Sequence, residues 1–423
     1  MGETVDSISA AVADLRRHQS ETLALMPQQA VVAALAELAD RWRDPAYPLR
    51  LEAEAWQEPF PFAMVQVSLN ALLDSLSSEK LWELIETEDA RDVQGYPVVG
   101  HVIAGNTPLL AWVSIIRALL VRSASLVKLP SNASAQWADI FHRSLREIEP
   151  GLASCVQLVQ WPGGTTELDA VVCTEADIIM VQGSDATLAR LQALCPAGKP
   201  FIGYGHRVSF GLLLPDADIR QAALGFAKDV LMYDQGGCLS PQTIFVEGDF
   251  NSAQSFAATL AEALAERTLE YPLPFRATQA AQTVREARAL AWMEEGNAIW
   301  EDPNLRWTVI ARPQSGFAAS PTFGVVSVQP LASLIDLPLA LSAVADRLQG
   351  CAFAGKATNG YLIGVSHFCS PGELQAPPLS WRQDGRDVLR ILLPPNCYRA
   401  DGSTTTRISP GKFSGQSSSV DDV

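Results

Sequence analysis

Short apolar strands alternate with helical segments from about residue 96 onward, and this alternation restricts the fold more than any other feature of the sequence. Residues 98–104 and 125–129 read as strands that are mostly apolar rather than half polar, whereas 109–121 and 133–147 have helical spacing. Strands that are mostly apolar on both faces are typical of parallel sheets that helices cover on both sides. The sequence therefore predicts an α/β fold built on doubly wound parallel sheets.

The alternation continues through two successive α/β units, which meet near residues 203–206. Further elements are predicted in this order: strands at 156–161, 178–181 and 210–214, a helix at 215–230, a strand at 243–246, a helix at 257–267, a strand at 325–328, a helix at 338–348 and a strand at 361–365. Residues 1–90 read mostly as helix, as at 30–42, whereas residues 388–393 are strand-like.

The formal net charge of −16 argues against nucleic acid as a partner, because duplex binding needs clustered Lys and Arg side chains. Hydrophobic residues make up 48% of the chain, which excludes wholesale disorder. The cysteines include no Cys-x-x-Cys pair, so neither a metal site nor a disulfide scaffold is expected. Reduced thiols, and a polar N-terminus without the apolar core of a signal peptide, favour a cytoplasmic protein.

Residues 98–121 form the longest apolar stretch of the chain, and two structures would explain it. One is a membrane-spanning segment, and the other is a buried strand followed by a turn and a helix. The Gly-Asn-Thr-Pro sequence at 105–108 and the charge of Arg117 interrupt the run. We therefore expect the buried strand and helix, and no membrane span.

Cys238 follows the run Gln-Gly-Gly, where the backbone can bend sharply and leave the sulfur uncrowded. A thiol presented in this way is suited to covalent catalysis. The alternative is a buried structural cysteine, which suits Cys173 and Cys351 better because apolar residues flank them. Cys238 is therefore the candidate nucleophile.

Asn106 stands at the break between the strand at 98–104 and the helix that follows. An amide at such a break can point at an oxyanion, although an ordinary turn or helix-capping role is the alternative. Backbone N–H groups at the start of a helix also bind anions. Asn106 together with Cys238 suggests acyl transfer at a thiol.

Polar or glycine residues end two further predicted strands. Lys128 closes the strand at 125–129, where ligands of doubly wound sheets bind, so it is a candidate for a ribose or phosphate contact; an exposed strand-end lysine is the alternative. Gly183 and Ser184 follow another strand, where a plain turn is the alternative.

No Gly-x-Gly-x-x-Gly fingerprint occurs, so a standard Rossmann cofactor site is not indicated. His206 is the one histidine considered near the site, and a structural role is its alternative.

These motifs, taken in chain order, resemble the aldehyde dehydrogenase superfamily. The order is Gly-x-x-x-x-Gly-Asn-x-Pro at 100–108, Lys-x-Pro-Ser at 128–131, Gly-Ser at 183–184 and Gly-Gly-Cys at 236–238. The segments 96–108 and 234–242 are most similar to the LuxC-type acyl-CoA reductases of bacterial fatty-acid reductase systems. The resemblance is continuous from about 95 to 250, and the Pro-Thr-Phe-Gly sequence at 321–324 fits the Phe-Gly segment that contacts the cofactor in this superfamily.

The resemblance implies an aldehyde-dehydrogenase-like α/β fold with one doubly wound domain for the cofactor and one for catalysis. Residues 1–208 would contain N-terminal helices and the NAD(P)-binding domain, and residues 209–384 would contain the catalytic domain. Residues 385–423 would supply a C-terminal strand for oligomerisation and a mobile tail. We therefore expect a homo-oligomer, by analogy with the family.

The resemblance also implies a role for each matching residue. Cys238 matches the nucleophile, and Asn106 matches the oxyanion donor. The matches to cofactor-binding positions are Gly105, Lys128 at the adenosine ribose, Ser131, Gly183 and Ser184 under the pyrophosphate, and Phe323 near the nicotinamide. His206 remains a further candidate.

Three positions depart from the pattern of the family. Oxidising aldehyde dehydrogenases carry a Glu base in the segment that aligns with 203–206, and that Glu is absent here. A thioester reductase needs no such base, because hydride rather than water attacks the acyl-cysteine. Pro321 replaces the Glu that usually holds the nicotinamide ribose, which implies that the cofactor is held either more loosely or by a different contact. Ser131 stands where NAD-selective relatives often place a Glu, which predicts NADPH as the preferred cofactor and leaves NADH usable.

The resemblance thus implies NADPH-dependent reduction of an acyl thioester to an aldehyde through an acyl group on Cys238. Acyl-CoA or an acyl carrier protein thioester would be the substrate. Acyl-phosphate reduction and aldehyde oxidation on the same fold are the enzymatic alternatives. A catalytically silent subunit that binds a nucleotide or a partner enzyme is the alternative from another class.

Overall fold

The computed structural model describes residues 2–132, 134–273, 277–356 and 364–395. The strands within those residues form a five-stranded and a seven-stranded sheet. In chain order they are β1 (Val98–Val102), β2 (Ala124–Leu129), β3 (Val156–Gln160), β4 (Ile178–Gln182), β5 (Phe201–Tyr204), β6 (Val208–Leu213), β7 (Pro241–Glu247), β8 (Ala298–Glu301), β9 (Thr308–Ala311), β10 (Val325–Leu331), β11 (Leu348–Ala354) and β12 (His367–Cys369).

Helices precede and connect these strands. The α-helices are α1 (Val5–His18), α2 (Gln28–Arg43), α3 (Pro48–Glu54), α4 (Phe62–Asp74), α5 (Ser78–Thr87), α6 (Leu110–Leu120), α7 (Ala135–Ile148), α8 (Pro150–Ala153), α9 (Thr166–Glu175), α10 (Asp185–Leu194), α11 (Ile219–Leu231), α12 (Phe250–Glu270), α13 (Thr278–Met293) and α14 (Leu337–Ala340). The first five helices all come before β1, so the chain builds a helical layer before its first sheet.

The first sheet has the strand order β3-β2-β1-β4-β5, and all of its pairs are parallel. The strand order reverses between β1 and β4, because the chain first adds strands on one side of β1 and then on the other. Ligands of such sheets bind at this reversal, beyond the carboxyl ends of the strands. The segments after β1 and β4, which contain Asn106 and Gly183, therefore meet at the expected ligand crevice.

The second sheet has the order β12-β11-β6-β7-β10-β9-β8. Its pairs are parallel except for β8 with β9, which is antiparallel. Cys238 lies on the connection between α11 and β7, next to the central strands of this sheet. The chain leaves the first sheet at Tyr204 and enters the second at Val208.

Aromatic side chains pack the helices against the first sheet. Trp42 of α2 lies with its ring centroid 5.0 Å from that of Trp112 of α6, and Trp112 lies 4.9 Å from Phe141 of α7. All three side chains are fully buried. Because such pairs stabilise a core by about 0.5–1.5 kcal/mol beyond their buried area, this cluster holds α2 to α6 and α7, the helices that pack on β2 and β3.

Most of the predicted elements are present, and the predicted α/β class with parallel sheets is confirmed. The apolar stretch 98–121 forms a buried strand and a helix, as expected. The helix predicted at 338–348 is wrong: α14 is one short turn, Ser342–Arg347 forms a 3-10 turn, and Leu348 already begins β11. The strand predicted at 361–365 falls partly on residues 361–363, which lie outside the described residues.

The strand-like segment 388–393 is not a strand, since Arg390–Leu392 forms a 3-10 turn. The carboxylate of Glu88, at the end of α5, accepts hydrogen bonds from the backbone N–H groups of Val388, Leu389 and Arg390 at 2.9, 2.6 and 3.0 Å. These N–H groups are therefore not free to pair with a strand. The oligomerisation strand expected within 385–423 is absent up to residue 395, and the domain boundaries at 208 and 384 stay predictions.

Among the described helices, no single one has both the length and the apolar character needed to cross a bilayer. The segments Val5–Leu23 and Gln28–Arg43 reach that length and composition only as a pair, and they meet at a bend of 106°.

Candidate active site

The loop that carries Cys238 begins with an unusual backbone turn. Tyr233, Asp234 and Gln235 all lie in the left-handed region, with φ values of 54°, 52° and 60°. Each such residue costs about 1–2 kcal/mol relative to ordinary backbone, because its Cβ approaches a carbonyl oxygen. A run of three persists only where the surroundings hold it, and such runs concentrate at functional sites.

Helix α4 supplies part of that support. The backbone N–H of Tyr233 contacts the sulfur of Met64 at 3.1 Å, and the Tyr233 hydroxyl donates to Ser68 Oγ at 2.7 Å. On the other side, Ser209 Oγ in β6 donates to the carbonyl oxygen of Cys238 at 2.8 Å. The N-terminal helices and the second sheet thus fix the two ends of the loop.

Asn106 contacts the Cys238 loop directly. Its Nδ2 donates to the carbonyl oxygen of Gly236 at 2.9 Å. Asn106 lies in the loop after β1 of the first sheet, whereas Gly236 lies in the loop before β7 of the second sheet. The Asn106 side chain is otherwise exposed. The structure therefore brings together the two residues that the sequence motifs singled out for acyl transfer, with the amide N–H group beside the loop of the thiol.

A second asparagine holds this arrangement. Asn132, after β2, donates from Nδ2 to the carbonyl oxygen of Gly105 at 2.8 Å, and Ser134 Oγ donates to the same oxygen at 3.1 Å. A Cβ on Gly105 would lie 2.5 Å from Asn132 Nδ2, which explains the glycine. The loop after β2 therefore fixes the loop of Asn106, and no local signal in the sequence identifies Asn132 for this role.

The Cys238 thiol is partly buried and lies near a pair of opposite charges. Burial, with a smaller contribution from the Asp384 carboxylate, raises the pKa of the thiol from 9.0 to about 11, while Arg207 opposes the shift. Arg207 Nε and Nη2 each donate to Asp384 at 2.9 Å, so the two charges largely neutralise each other. The neutral thiol is therefore the main form at neutral pH.

This pKa leads to a testable pH dependence. The rate of Cys238 alkylation by iodoacetamide is expected to rise about tenfold per pH unit up to a pH near 11, because only the thiolate reacts. Asp384→Asn should raise the rate at pH 8 by roughly tenfold, since the positive charge of Arg207 then favours the thiolate. Asp387→Asn, which breaks the 3.0 Å ion pair to Arg382 in the same segment, is the control. A rate that is already constant above pH 7 would contradict this assignment.

The candidate cofactor residues lie at the carboxyl ends of the first sheet. Lys128 in β2 is 7% exposed, its Nζ lies 6.0 Å from the ring centroid of Trp161, and burial lowers its pKa. Ser131 is exposed, with a long 3.5 Å contact from its Oγ to the carbonyl oxygen of Trp161. Lys128 and Ser131 thus flank one side of the crevice at the strand reversal.

Gly183 and Ser184 form the other side. Gly183 donates its N–H to the carbonyl oxygen of Tyr204 at 3.2 Å, which places it directly after β4. Ser184 caps α10, because its Oγ accepts from Thr187 N at 3.2 Å. The first turn of α10 therefore points into the crevice, where helix N-termini favour anions. A buried lysine and a helix N-terminus at the same crevice suit a dinucleotide with a pyrophosphate.

Phe323 lies beside the nucleophile loop. Its backbone N–H donates to the carbonyl oxygen of Asp234 at 3.0 Å. Thr322, Phe323 and Gly324 have φ values of 73°, 58° and 73°, so this segment also runs through the left-handed region. The structure thus joins the Phe-Gly segment to the loop of the thiol.

His206 is not brought to the thiol by any hydrogen bond. Its backbone N–H donates to Asp185 Oδ1 at 2.9 Å, at the start of α10, and its side chain is exposed. Within the described ranges its imidazole makes no hydrogen bond to Cys238. His206 therefore lies on the α10 side of the crevice.

Comparisons with known proteins identify the family of this chain. A family model described as acyl-CoA reductase (LuxC) matches residues 23–393. The chain is 26% identical over 256 residues to the long-chain acyl-protein thioester reductase of Photorhabdus laumondii subsp. laumondii, covering 55% of this chain and 53% of that protein. It is 28% identical over 196 residues to the protein of the same name from Vibrio harveyi, covering 44% of this chain and 41% of that protein. The chain thus spans about half the length of the curated relatives it matches.

Solved structures of aldehyde dehydrogenases share the fold. The glyceraldehyde-3-phosphate dehydrogenase GapN of Methanocaldococcus jannaschii, complexed with NADP, superposes with a TM-score of 0.70 at 14% identity over 93% of both chains. The NAD-dependent benzaldehyde dehydrogenase of Corynebacterium glutamicum gives 0.68 at 18% identity over 87% of this chain and 86% of its own. The expected aldehyde-dehydrogenase-like fold is confirmed.

Proposed function

Because the chain belongs to the acyl-CoA reductase (LuxC) family, we propose that it reduces an acyl thioester to an aldehyde through an acyl group held on Cys238. The observation that carries the proposal is the 2.9 Å hydrogen bond from Asn106 to the Cys238 loop, which unites a thiol and an oxyanion donor. The relatives named long-chain acyl-protein thioester reductases support an acyl thioester as substrate.

The first half of the reaction forms the bond between Cys238 Sγ and the acyl carbon. The thiol loses its proton, the carbonyl oxygen becomes an oxyanion, and the oxyanion collapses to expel the carrier thiolate, which takes up a proton. Asn106 Nδ2 and the Cys238 backbone N–H stabilise the oxyanion. To do so, Asn106 exchanges its bond to the Gly236 carbonyl for one to the substrate oxygen.

The crevice at the strand reversal suits a nicotinamide dinucleotide. Lys128 and Ser131 would hold the adenosine ribose. The pyrophosphate would lie against Gly183, Ser184 and the first turn of α10. Phe323 would contact the nicotinamide. When bound, the reduced nicotinamide supplies the hydride that the acyl carbon needs. Asn106 then stabilises the oxyanion again, and its collapse breaks the carbon–sulfur bond to release the aldehyde and the Cys238 thiolate.

The segment 203–206 supports reduction over hydrolysis. It contains no carboxylate, and the Gly203 carbonyl accepts from Arg386 Nη1 at 3.3 Å while Arg386 lies 5.6 Å from the Tyr204 ring centroid. The segment therefore lacks the carboxylate base that would activate water, and the His206 backbone N–H donates to Asp185 rather than to the Cys238 loop. The acyl group would persist on Cys238 until hydride arrives.

We propose NADPH as the preferred cofactor, with NADH as a weaker one. Ser131 carries no charge to repel a 2′-phosphate, whereas a carboxylate there would bind the 2′-hydroxyl of NADH instead. Ser131→Glu is expected to lower kcat/KM for NADPH by about tenfold or more while sparing NADH. Ser131→Ala is the matched control and should keep the preference. A wild-type kcat/KM for NADH equal to or above that for NADPH would refute the proposal.

A panel of acyl donors tests the proposed function. Long-chain acyl-CoA, an acyl carrier protein thioester and an acyl phosphate are each mixed with enzyme and NADPH, and NADPH loss and aldehyde are measured together. Turnover with either thioester above that with the acyl phosphate supports the proposal. Turnover with acyl phosphate alone would assign an acyl-phosphate reductase, and none with any donor would indicate a silent binding subunit.

A further inference from the structure

The side chain of Gln235 joins the nucleophile loop to the Phe323 segment. Gln235 is 3% exposed, and its Nε2 donates to the carbonyl oxygens of Pro241 and Val325 at 2.9 and 3.0 Å. Its Oε1 accepts from Ser320 Oγ at 3.0 Å. Pro241 begins β7, and Val325 begins β10, so one amide ties together the starts of two neighbouring strands.

An amide suits this position because it offers two donors and an acceptor on one side chain. The two carbonyl oxygens need donors, and the single proton of the Ser320 hydroxyl has two acceptors within reach, Gln235 Oε1 at 3.0 Å and the carbonyl oxygen of Val325 at 2.6 Å. Gln235→Glu would put a carboxylate against two carbonyl oxygens, and a shorter or apolar side chain would leave buried polar groups without partners.

Ser320 extends the link into the Phe-Gly turn. Its Oγ also contacts the carbonyl oxygen of Val325 at 2.6 Å and accepts from Thr322 N at 2.9 Å. Thr322 is the first of the three left-handed residues that include Phe323. The Phe323 N–H in turn reaches back to the carbonyl of Asp234. The two left-handed turns, at 233–235 and 322–324, therefore support each other through the Gln235–Ser320 contact.

We propose that Gln235 and Ser320 are positioning residues, which keep Cys238 at the correct distance from the Phe323 segment, where the nicotinamide would lie. This inference rests on the proposed function. Acyl transfer to Cys238 needs Asn106, which the loop after β1 holds. Reduction also needs the correct distance between the acyl group and the Phe323 segment. Loss of the contact from Ser320 should therefore slow reduction much more than acylation.

Single-turnover measurements on the full chain separate the two steps. Acylation is followed by intact mass after mixing with acyl-CoA without NADPH, and reduction by aldehyde release after NADPH is added to the acyl-enzyme. Ser320→Ala is expected to acylate within about threefold of the wild type and to reduce about ten- to a hundredfold more slowly, because small misplacements are costly in hydride transfer. Gln235→Glu should slow both steps.

Two further variants distinguish positioning from folding. Ser320→Thr keeps the hydroxyl and should restore reduction to within about threefold of the wild type. Ser333→Ala removes a hydroxyl beyond the end of β10, where it accepts from Ile335 N at 3.4 Å, and should change neither step.

Three results would overturn the inference. Equal losses of acylation and reduction in Ser320→Ala would make Ser320 merely structural, as would the failure of Ser320→Thr to restore reduction. Wild-type reduction rates in Ser320→Ala would remove its role altogether. If the wild type itself forms no acyl-enzyme, the proposed function fails as well, so the two failures are distinguishable.

Discussion

Replacing Cys238 with alanine is expected to lower aldehyde formation by about 10⁴-fold or more, because Cys238 is the proposed carrier of the acyl chain. Among the six thiols within the described residues, those of Cys155, Cys173 and Cys351 are buried elsewhere in the fold, and that of Cys369 is half-buried in β12. The Asn106 amide donates to the carbonyl oxygen of Gly236, in the loop of Cys238. Substitution of Cys238 should therefore remove the reaction rather than redirect it.

The measurement is steady-state aldehyde formation from acyl-CoA and NADPH, with circular dichroism to verify folding. Cys195→Ala is the matched control: Cys195 is also a partly buried free thiol, but it ends α10. The control should keep wild-type activity. Aldehyde formation by Cys238→Ala within about a hundredfold of the wild type would show that the chemistry does not pass through this thiol.

Replacing Asn106 with alanine is expected to lower kcat by about 10²–10³-fold, the usual effect of losing one oxyanion donor. Both half-reactions pass through an oxyanion on the same carbon, so acylation and reduction should slow together. Asn106→Asp should be at least as slow, because its carboxylate would repel the oxyanion at neutral pH. This joint loss differs from the Ser320→Ala pattern, in which reduction alone slows.

Asn70→Ala is the control for Asn106, since Asn70 is an exposed asparagine on α4. The KM for NADPH should change little in Asn106→Ala, because the Asn106 side chain donates to the Cys238 loop and is not among the candidate cofactor-binding residues. A kcat within about threefold of the wild type would contradict the role of Asn106 as an oxyanion donor.

Much of the fold follows from local patterns. Strands β1, β2 and β4 were predicted from mostly apolar runs, and their residues are buried almost throughout. The short strand β5 was not predicted, since its residues were interpreted as the boundary between the two units. Residues 388–393 have the same apolar composition but fold as a turn. Their N–H groups bond to Glu88, about 300 positions away in the chain, which no local pattern could reveal.

The residues of the candidate site also fall into two groups, those that sequence motifs predicted and those that only contacts in the structure identify. The order of motifs identified Cys238, Asn106 and Phe323, and the structure brings their segments together. Asn132 and Gln235 were missed as supporting residues, because their importance lies in contacts with Gly105 and Val325 that are remote in sequence. Three consecutive left-handed residues without glycine have no compositional signature, so the turn at 233–235 also had to be seen in the structure.

The intact mass of the protein after mixing with long-chain acyl-CoA, with no NADPH present, tests the central claim most directly. The account predicts a wild-type mass increased by one acyl group, located on the peptide that contains Cys238, and an unmodified Cys238→Ala protein. Adding NADPH should remove the acyl group and release the aldehyde. An unmodified wild type, or an acyl group that still forms in Cys238→Ala, would contradict the account.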